Sequence, residues 1–160
     1  MRRIVALCLA LFSLGAAPVA AQGLGERLFG SKSSCFARAY TADHLASHPL
    51  QQVTEITLRP DVAAMRMGGE VEAVMISVRR RADSETYFGS AYCDRTGAAL
   101  TCYREGDAGS FKLTEAANGA LRLEVGPNGM SFEGSADFVT LEANRGDDRV
   151  FLIPPAPCPF

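Results

Sequence analysis

The sequence predicts an all-β fold: a single antiparallel meander of about eight to ten short strands forming a small barrel, with a β-sandwich as the alternative. Three observations predict it. Apolar and polar residues alternate in the runs after residue 51, turn residues recur about every ten residues, and helical periodicity is scarce. The barrel is favoured because closure removes the exposed edges of a long meander.

The predicted strands are apolar, β-rich runs separated by glycine, proline, asparagine or aspartate. After a first run that begins at Cys35, they lie at Gln51–Arg59, Val71–Arg80, Thr86–Cys93, Ala98–Arg104, Ser110–Thr114, Ala120–Val125, Met130–Glu133, Asp137–Ala143 and Arg149–Ile153. Asn118-Gly119 is the strongest hairpin signal, and a turn is expected at residues 126–129. The proline-rich residues 154–159 predict an extended strap.

Helix is expected in two short places only. One short helix or turn is predicted near residues 41–48, where Thr41 supplies an N-cap and Pro49 ends the segment. Gly25–Phe29 is long enough for one or two turns. The segment Pro60–Glu70 between two strand-like runs is predicted to be a loop.

Composition places the chain among ordinary globular proteins of one domain. It has 160 residues, 48% of them hydrophobic, and a mean hydropathy of +0.05, which excludes disordered and collagen-like chains. The formal net charge of −2 argues against nucleic acid as a partner, because nucleic-acid binders usually carry a strong basic excess.

The first residues have the layout of a secretory signal peptide. Arg2 and Arg3 precede an apolar stretch that ends near Ala17, and Val19 and Ala21 stand at the −3 and −1 positions of a cleavage site. An uncleaved anchor is the competing interpretation, but the stretch is shorter than the roughly 20 residues that span a bilayer. We therefore expect a signal peptide at residues 1–21, a single domain at residues 22–160 without a transmembrane segment, and a periplasmic or secreted location.

Four cysteines remain after the predicted cleavage, and an even number in an exported chain indicates two disulfides. Cys93 and Cys102 flank a turn-like segment, so they can face each other across a hairpin. Cys35 opens the ordered region, and Cys158 lies close to the chain end. Of three connectivities, Cys93–Cys102 with Cys35–Cys158 is favoured, while zinc binding or a reactive thiol pair is the alternative.

His44 and His48 are the only histidines, and their spacing would place both rings on one face of a helix, as a metal pair requires. Pro49 disfavours a helical conformation at His48, and no third ligand is indicated. They are therefore weak metal candidates, and packing within a surface turn is the preferred interpretation. No cofactor is predicted.

Arg79, Arg80 and Arg81 form the densest run of charge and are the candidate binding residues. Together with the loop Pro60–Glu70 they are expected to make a contact surface. A solvated strand end is the competing interpretation of the three arginines. Tyr87, Phe88, Tyr92 and Tyr103 lie near the proposed Cys93–Cys102 hairpin, and a barrel of this size can hold one small apolar ligand.

No catalytic constellation is present in the sequence, since the nucleophile motifs G-x-S-x-G and S-x-x-K are absent and the cysteines are assigned to disulfides. In architecture the chain resembles small disulfide-bearing periplasmic β-barrels, among them proteinaceous lysozyme inhibitors, without a motif of that family. The predicted function is a non-enzymatic periplasmic binding or inhibitor-like module with a cell-envelope protein as partner. The alternatives are a lipocalin-like carrier of a small apolar ligand and a metal-dependent hydrolase that uses His44 and His48.

Overall fold

The structure is a computed structural model that describes residues 23–30, 34–68, 71–83 and 85–158. The predicted signal peptide, Met1–Ala21, lies outside the described residues. The same holds for Gly69 and Glu70 of the predicted contact loop.

The all-β prediction is confirmed, because ten strands of the described residues form one antiparallel sheet. The strands are β1 (Cys35–Ala39), β2 (Val53–Pro60), β3 (Glu72–Arg80), β4 (Thr86–Thr96), β5 (Ala99–Tyr103), β6 (Gly109–Glu115), β7 (Leu121–Glu133), β8 (Phe138–Leu141), β9 (Val150–Ile153) and β10 (Pro155–Ala156). The described helices are α1 (Leu24–Phe29), α2 (Ala42–Ser47) and α3 (Val62–Met67), with a 3-10 turn at Ala117–Gly119.

The strands pair as a meander from β1 to β8. β9 pairs with β7, and β10, which follows β9 along the chain, pairs with β1. The last two strands thereby connect β7 to the first strand. Only Pro154 separates β9 from β10. The ring is irregular and is not a clear barrel, because β10 contributes two residues and β8 extends from β7 as an edge strand.

Side chains fill the space inside the ring. The inward residues of nearly all the strands are buried, and the largest fully buried ones include Phe111, Phe132 and Phe151. From α1, Leu24 and Leu28 pack into the same core. Burial of each such side chain contributes roughly 1.5–3 kcal/mol of stability. The interior of the ring is therefore packed with side chains among the described residues.

The short helix predicted near residues 41–48 is confirmed as α2. The hydroxyl of Thr41 accepts a hydrogen bond from the backbone N–H of His44 at 3.2 Å, which is the expected N-cap. The prediction of a loop at Pro60–Glu70 was incomplete, because α3 lies within that segment. The carboxylate of Asp61 caps that helix by accepting from the N–H of Ala64 at 3.1 Å.

β7 replaces two predicted strands and the turn between them. Val125 pairs with Phe111 and Met130 pairs with Gly109, so residues 126–129 form a large bulge within one strand. Gly129 has φ +79°, which a residue with a side chain rarely adopts. The bulge lets the first half of β7 pair with β9 and the second half with β8.

Both disulfides have the pairing that the sequence favours. Cys35 bonds to Cys158, which fastens β1 to the end of the chain. Cys93 bonds to Cys102, directly opposite in the β4–β5 hairpin. Since Cys93 and Cys102 are buried, the second bridge lies within the core.

Candidate functional site

The two parts of the predicted contact surface lie at opposite ends of one strand. Pro60, where the loop begins, pairs with Val74 near the start of β3, whereas Arg79 pairs with Glu55 at its far end. The nine residues of β3 span roughly 26–30 Å at about 3.3 Å per residue. Arg79–Arg81 therefore lie at the other end of β3 from residues 60–68.

The three arginines also separate from one another, because neighbouring strand residues point to opposite faces. Arg79 lies on the outer face with Glu55, at 3.8 Å. The guanidinium of Arg81 donates to the carbonyl of Gln51 at 2.7 Å and to that of His48 at 3.0 Å, so it holds the chain after α2. Arg80 lines a groove and lies 6.0 Å from the centre of the Tyr87 ring.

The groove that contains Arg80 has a volume of about 590 Å³ and runs beside β8. Its other walls come from Leu50, in the turn before β2, and from the β8–β9 loop, including Arg145 and Asp148. We refer to it as the edge groove. Two guanidinium groups and two carboxylates line it. Glu142 lies 3.8 Å from Arg145, and Asp148 lies near Arg80.

Asp148 joins the β8–β9 loop to β2. Its carboxylate accepts hydrogen bonds from the N–H of Gln52 at 2.6 Å and of Val53 at 3.1 Å. Burial raises the pKa of Asp148 above its ordinary value, while these two hydrogen bonds act in the opposite direction. The residue therefore has a structural role at one wall of the edge groove.

His44 lies on α2 and His48 directly follows that helix in a non-helical conformation, and their ring centroids are 4.1 Å apart. Their nitrogens contact the protein itself: His44 Nε2 is 3.0 Å from Gln51 Oε1, and His48 Nδ1 is 2.9 Å from the carbonyl of His44. Within the described part of the chain, no group of three or more metal-ligating side chains surrounds them. Both rings therefore have nitrogen contacts within the protein.

The outer side of the sheet carries a cluster of exposed apolar side chains that we call the aromatic face. Its members come from α3 and from strands β4, β5 and β8, and they are Met67, Phe88, Tyr92, Tyr103 and Phe138. Met67 is 83% exposed and Phe138 is 72% exposed. Strand register brings them together, because Tyr92 pairs with Tyr103, and Glu133 pairs with both Phe88 and Phe138.

Two adjoining cavities indent this face. One, of about 430 Å³, lies between Met67, Phe88 and Tyr92, and the other, of about 340 Å³, lies beside Phe138. Glu133 and Arg104 line both. The face therefore combines shape, apolar surface and polar groups, which are the usual elements of a binding site.

Arg104 fills the seam between β4 and β7. Its guanidinium donates to the carbonyl of Ser131 and lies 5.6 Å from the centre of the Phe132 ring. Gly89 leaves the space that it occupies, because a Cβ there would collide with the guanidinium. Burial lowers the pKa of Arg104, and Glu133 and Glu105 oppose that shift. These contacts within the protein give Arg104 a supporting role beneath the aromatic face.

Asp61 and Ser90 fasten α3 over the sheet. The hydroxyl of Ser90 donates to Asp61 Oδ2 at 2.7 Å, while Asp61 Oδ1 caps α3. Asp61 is buried. These two contacts hold α3 against the sheet, and Met67 of α3 lines the same cavity as Phe88.

The sequence contained signals for part of this face. Once Cys93 is placed opposite Cys102, their neighbours Tyr92 and Tyr103 must also be opposite each other. The helix-forming residues 62–67 after Asp61 are a helix signal that the sequence interpretation missed. The approach of Phe138 to Phe88 depends on the long-range pairing of β4 with β7, for which no local signal exists.

Comparison of the chain with protein-family models, curated proteins and solved structures finds no match. None of the helices in residues 23–30, 34–68, 71–83 and 85–158 is long and apolar enough to cross a membrane.

Proposed function

We propose that this chain is an exported, non-enzymatic binding module that docks a cell-envelope protein on its aromatic face. The observation that carries the proposal is the group of five exposed, large apolar side chains on one side of the sheet, four of which line two cavities. Contiguous exposed apolar surface costs solvation free energy, and in monomeric proteins it marks interaction sites. Aromatic residues and methionine are also enriched at protein interfaces.

Export rests on the predicted signal peptide and is supported by the disulfides. Cys35–Cys158 and Cys93–Cys102 are bonds of the kind that persist in oxidising compartments. The disulfides therefore support the location outside the cytoplasm, whereas the aromatic face supports the binding activity.

The charges around the face indicate the chemistry of the partner. Glu105, Asp107 and Glu133 line the two cavities, and the cation among their lining residues, Arg104, is bound to the carbonyl of Ser131. A partner surface with lysine or arginine among apolar residues complements this pattern, since a cation can contact both a carboxylate and an aromatic ring.

The test compares capture of envelope proteins by the mature chain and by two variants. Phe88→Ser with Tyr103→Ser removes two rings from the face, whereas Leu152→Ser removes an apolar side chain of similar exposure on β9. We expect the wild type and Leu152→Ser to retain the same protein and the double variant to lose it, with all three folded by circular dichroism. Equal capture by all three proteins would contradict the proposal.

A further inference from the structure

We infer that the open edge of β8 is a second binding site, which accepts an extended, uncharged peptide segment of a partner protein as an added strand. The edge groove shares Phe138 with the aromatic face, but other observations point to it. It rests on the direction of backbone groups in β8, on the edge groove beside them, and on the groove's balanced charge.

The hydrogen bonds of β7 show which backbone groups of β8 are paired. Ser131 donates its N–H to the carbonyl of Ala108 at 2.9 Å, away from β8. Adjacent residues of a strand direct their backbone groups to opposite edges, so Met130 and Phe132 face β8. They lie opposite Leu141 and Val139, which therefore use their N–H and C=O groups toward β7.

The intervening residues Phe138 and Thr140 direct their backbone groups to the other edge. Within the described ranges of the chain, β8 pairs with β7 alone. An edge strand of this kind is a template for a further strand, because its N–H and C=O groups are spaced for pairing. The prediction that closure removes exposed edges is thus wrong for β8.

The edge groove provides room for such a strand. All four residues of β8 line it, and its volume of about 590 Å³ lies within the range of ligand sites, roughly 300–1,000 Å³. Leu50 and Phe138, which are 62% and 72% exposed, supply apolar contacts at its walls. Alternate side chains of an added strand would bury against them.

The groove favours a single peptide segment over a second copy of this chain. Leu50 and the loop around Arg145 and Gly146 stand across the groove from β8. In a pair of copies joined along β8, the walls of both grooves would have to fit beside one another. A segment without flanking structure avoids this requirement.

The charged groups of the edge groove should favour neither an acidic nor a basic peptide. The lining arginines, Arg80 and Arg145, are matched by Asp148 and Glu142. Recognition through backbone hydrogen bonds and apolar contacts should depend little on salt, because neither contribution involves a net charge. This distinguishes the edge groove from the aromatic face, where carboxylates predominate.

The probe for the test is the blocked hexapeptide acetyl-Thr-Val-Thr-Val-Thr-Val-amide, titrated into the mature chain and followed by backbone amide NMR. We expect shifts of the amide signals of Phe138, Thr140 and Glu142 that are similar at low and high salt. Thr140→Pro removes the donor at the open edge, and it should weaken binding by about tenfold or more, as expected for loss of a hydrogen bond and its alignment.

Thr140→Val is the matched control, because it keeps the backbone N–H while losing the same side-chain hydrogen bond to Ser131. It should bind the peptide like the wild type. If Thr140→Pro does not fold, the same peptide methylated at every backbone nitrogen replaces it as the test on the wild type, and this peptide should not bind. Failure of the unmodified peptide to bind, or equal binding by the proline variant or the methylated peptide, would overturn the inference.

Discussion

Glu133 of β7 lies directly opposite Phe88 of β4, in the one residue pair that joins these strands in the described sheet. On its other side it pairs with Phe138 of β8. The carboxylate therefore belongs to a row between two exposed aromatic residues. That arrangement suits a cation that approaches with apolar groups around it.

Glu133→Gln should weaken binding of the captured partner by about fivefold, which corresponds to about 1 kcal/mol. It should also reduce the salt dependence, because one charge is removed from the interface. The measurement is the dissociation constant at several salt concentrations. Glu124→Gln, at an exposed position in the first half of the same strand, is the control and should change neither quantity.

The two disulfides should differ in their contribution to stability. In the chain-entropy model, replacing Cys35 and Cys158 by serine costs about 5 kcal/mol because the bridge spans 123 residues. Replacing Cys93 and Cys102, which are 9 residues apart, costs about 3 kcal/mol. Denaturant unfolding of the two double variants measures the difference, and a larger loss for the hairpin bridge would contradict this ranking.

Arg81→Ala should loosen α2 and the chain that follows it. The guanidinium is hydrogen-bonded to the carbonyls of Gln51 and His48, and each such bond contributes about 1 kcal/mol. Amide hydrogen exchange in residues 42–52 should become faster. Arg79→Ala removes an exposed ion pair with Glu55 and should leave that exchange unchanged. Unchanged exchange in the Arg81 variant would show that this contact does not hold the segment.

Asp148 should make stability depend on pH in a defined direction. Its pKa is raised in the folded protein by burial, so the folded state binds this proton more tightly than the unfolded chain. Its contribution to the free energy of unfolding therefore falls as pH rises from the ordinary carboxyl pKa through the raised one. Asp148→Asn should remove this part of the slope in unfolding experiments across the acidic range, while Asp43→Asn on α2 should retain it. A slope that persists in Asp148→Asn would assign it to other groups.

The strands were largely predictable because their alternation is local. Leu121 and Leu123 are buried while Glu124 is exposed, as the pattern of that run requires. The Thr41 cap was equally visible in the sequence. The continuity of β7 was not, since a Gly-Pro-Asn-Gly segment indicates a turn and the bulge is stabilised by partners on β6, β8 and β9.

The site was less predictable because it depends on register between distant strands. A run of three arginines suggests one patch, yet the period of β3 directs Arg80 away from Arg79. Arg81 follows the strand and is hydrogen-bonded to the chain after α2. The candidate surface also needs α3 against β3, and it needs Phe138 and Phe88 on either side of Glu133. Neither placement follows from the order of residues along the chain.

Hydroxyl-radical footprinting of the aromatic face, in the purified chain and in the native cell envelope, measures whether a partner covers this face. Met67, Phe88 and Tyr103 should be labelled readily in the purified protein and much less in the envelope, whereas Leu152 should be labelled equally in both. Equal labelling of all four residues in the two samples would show that nothing covers this face where the protein acts.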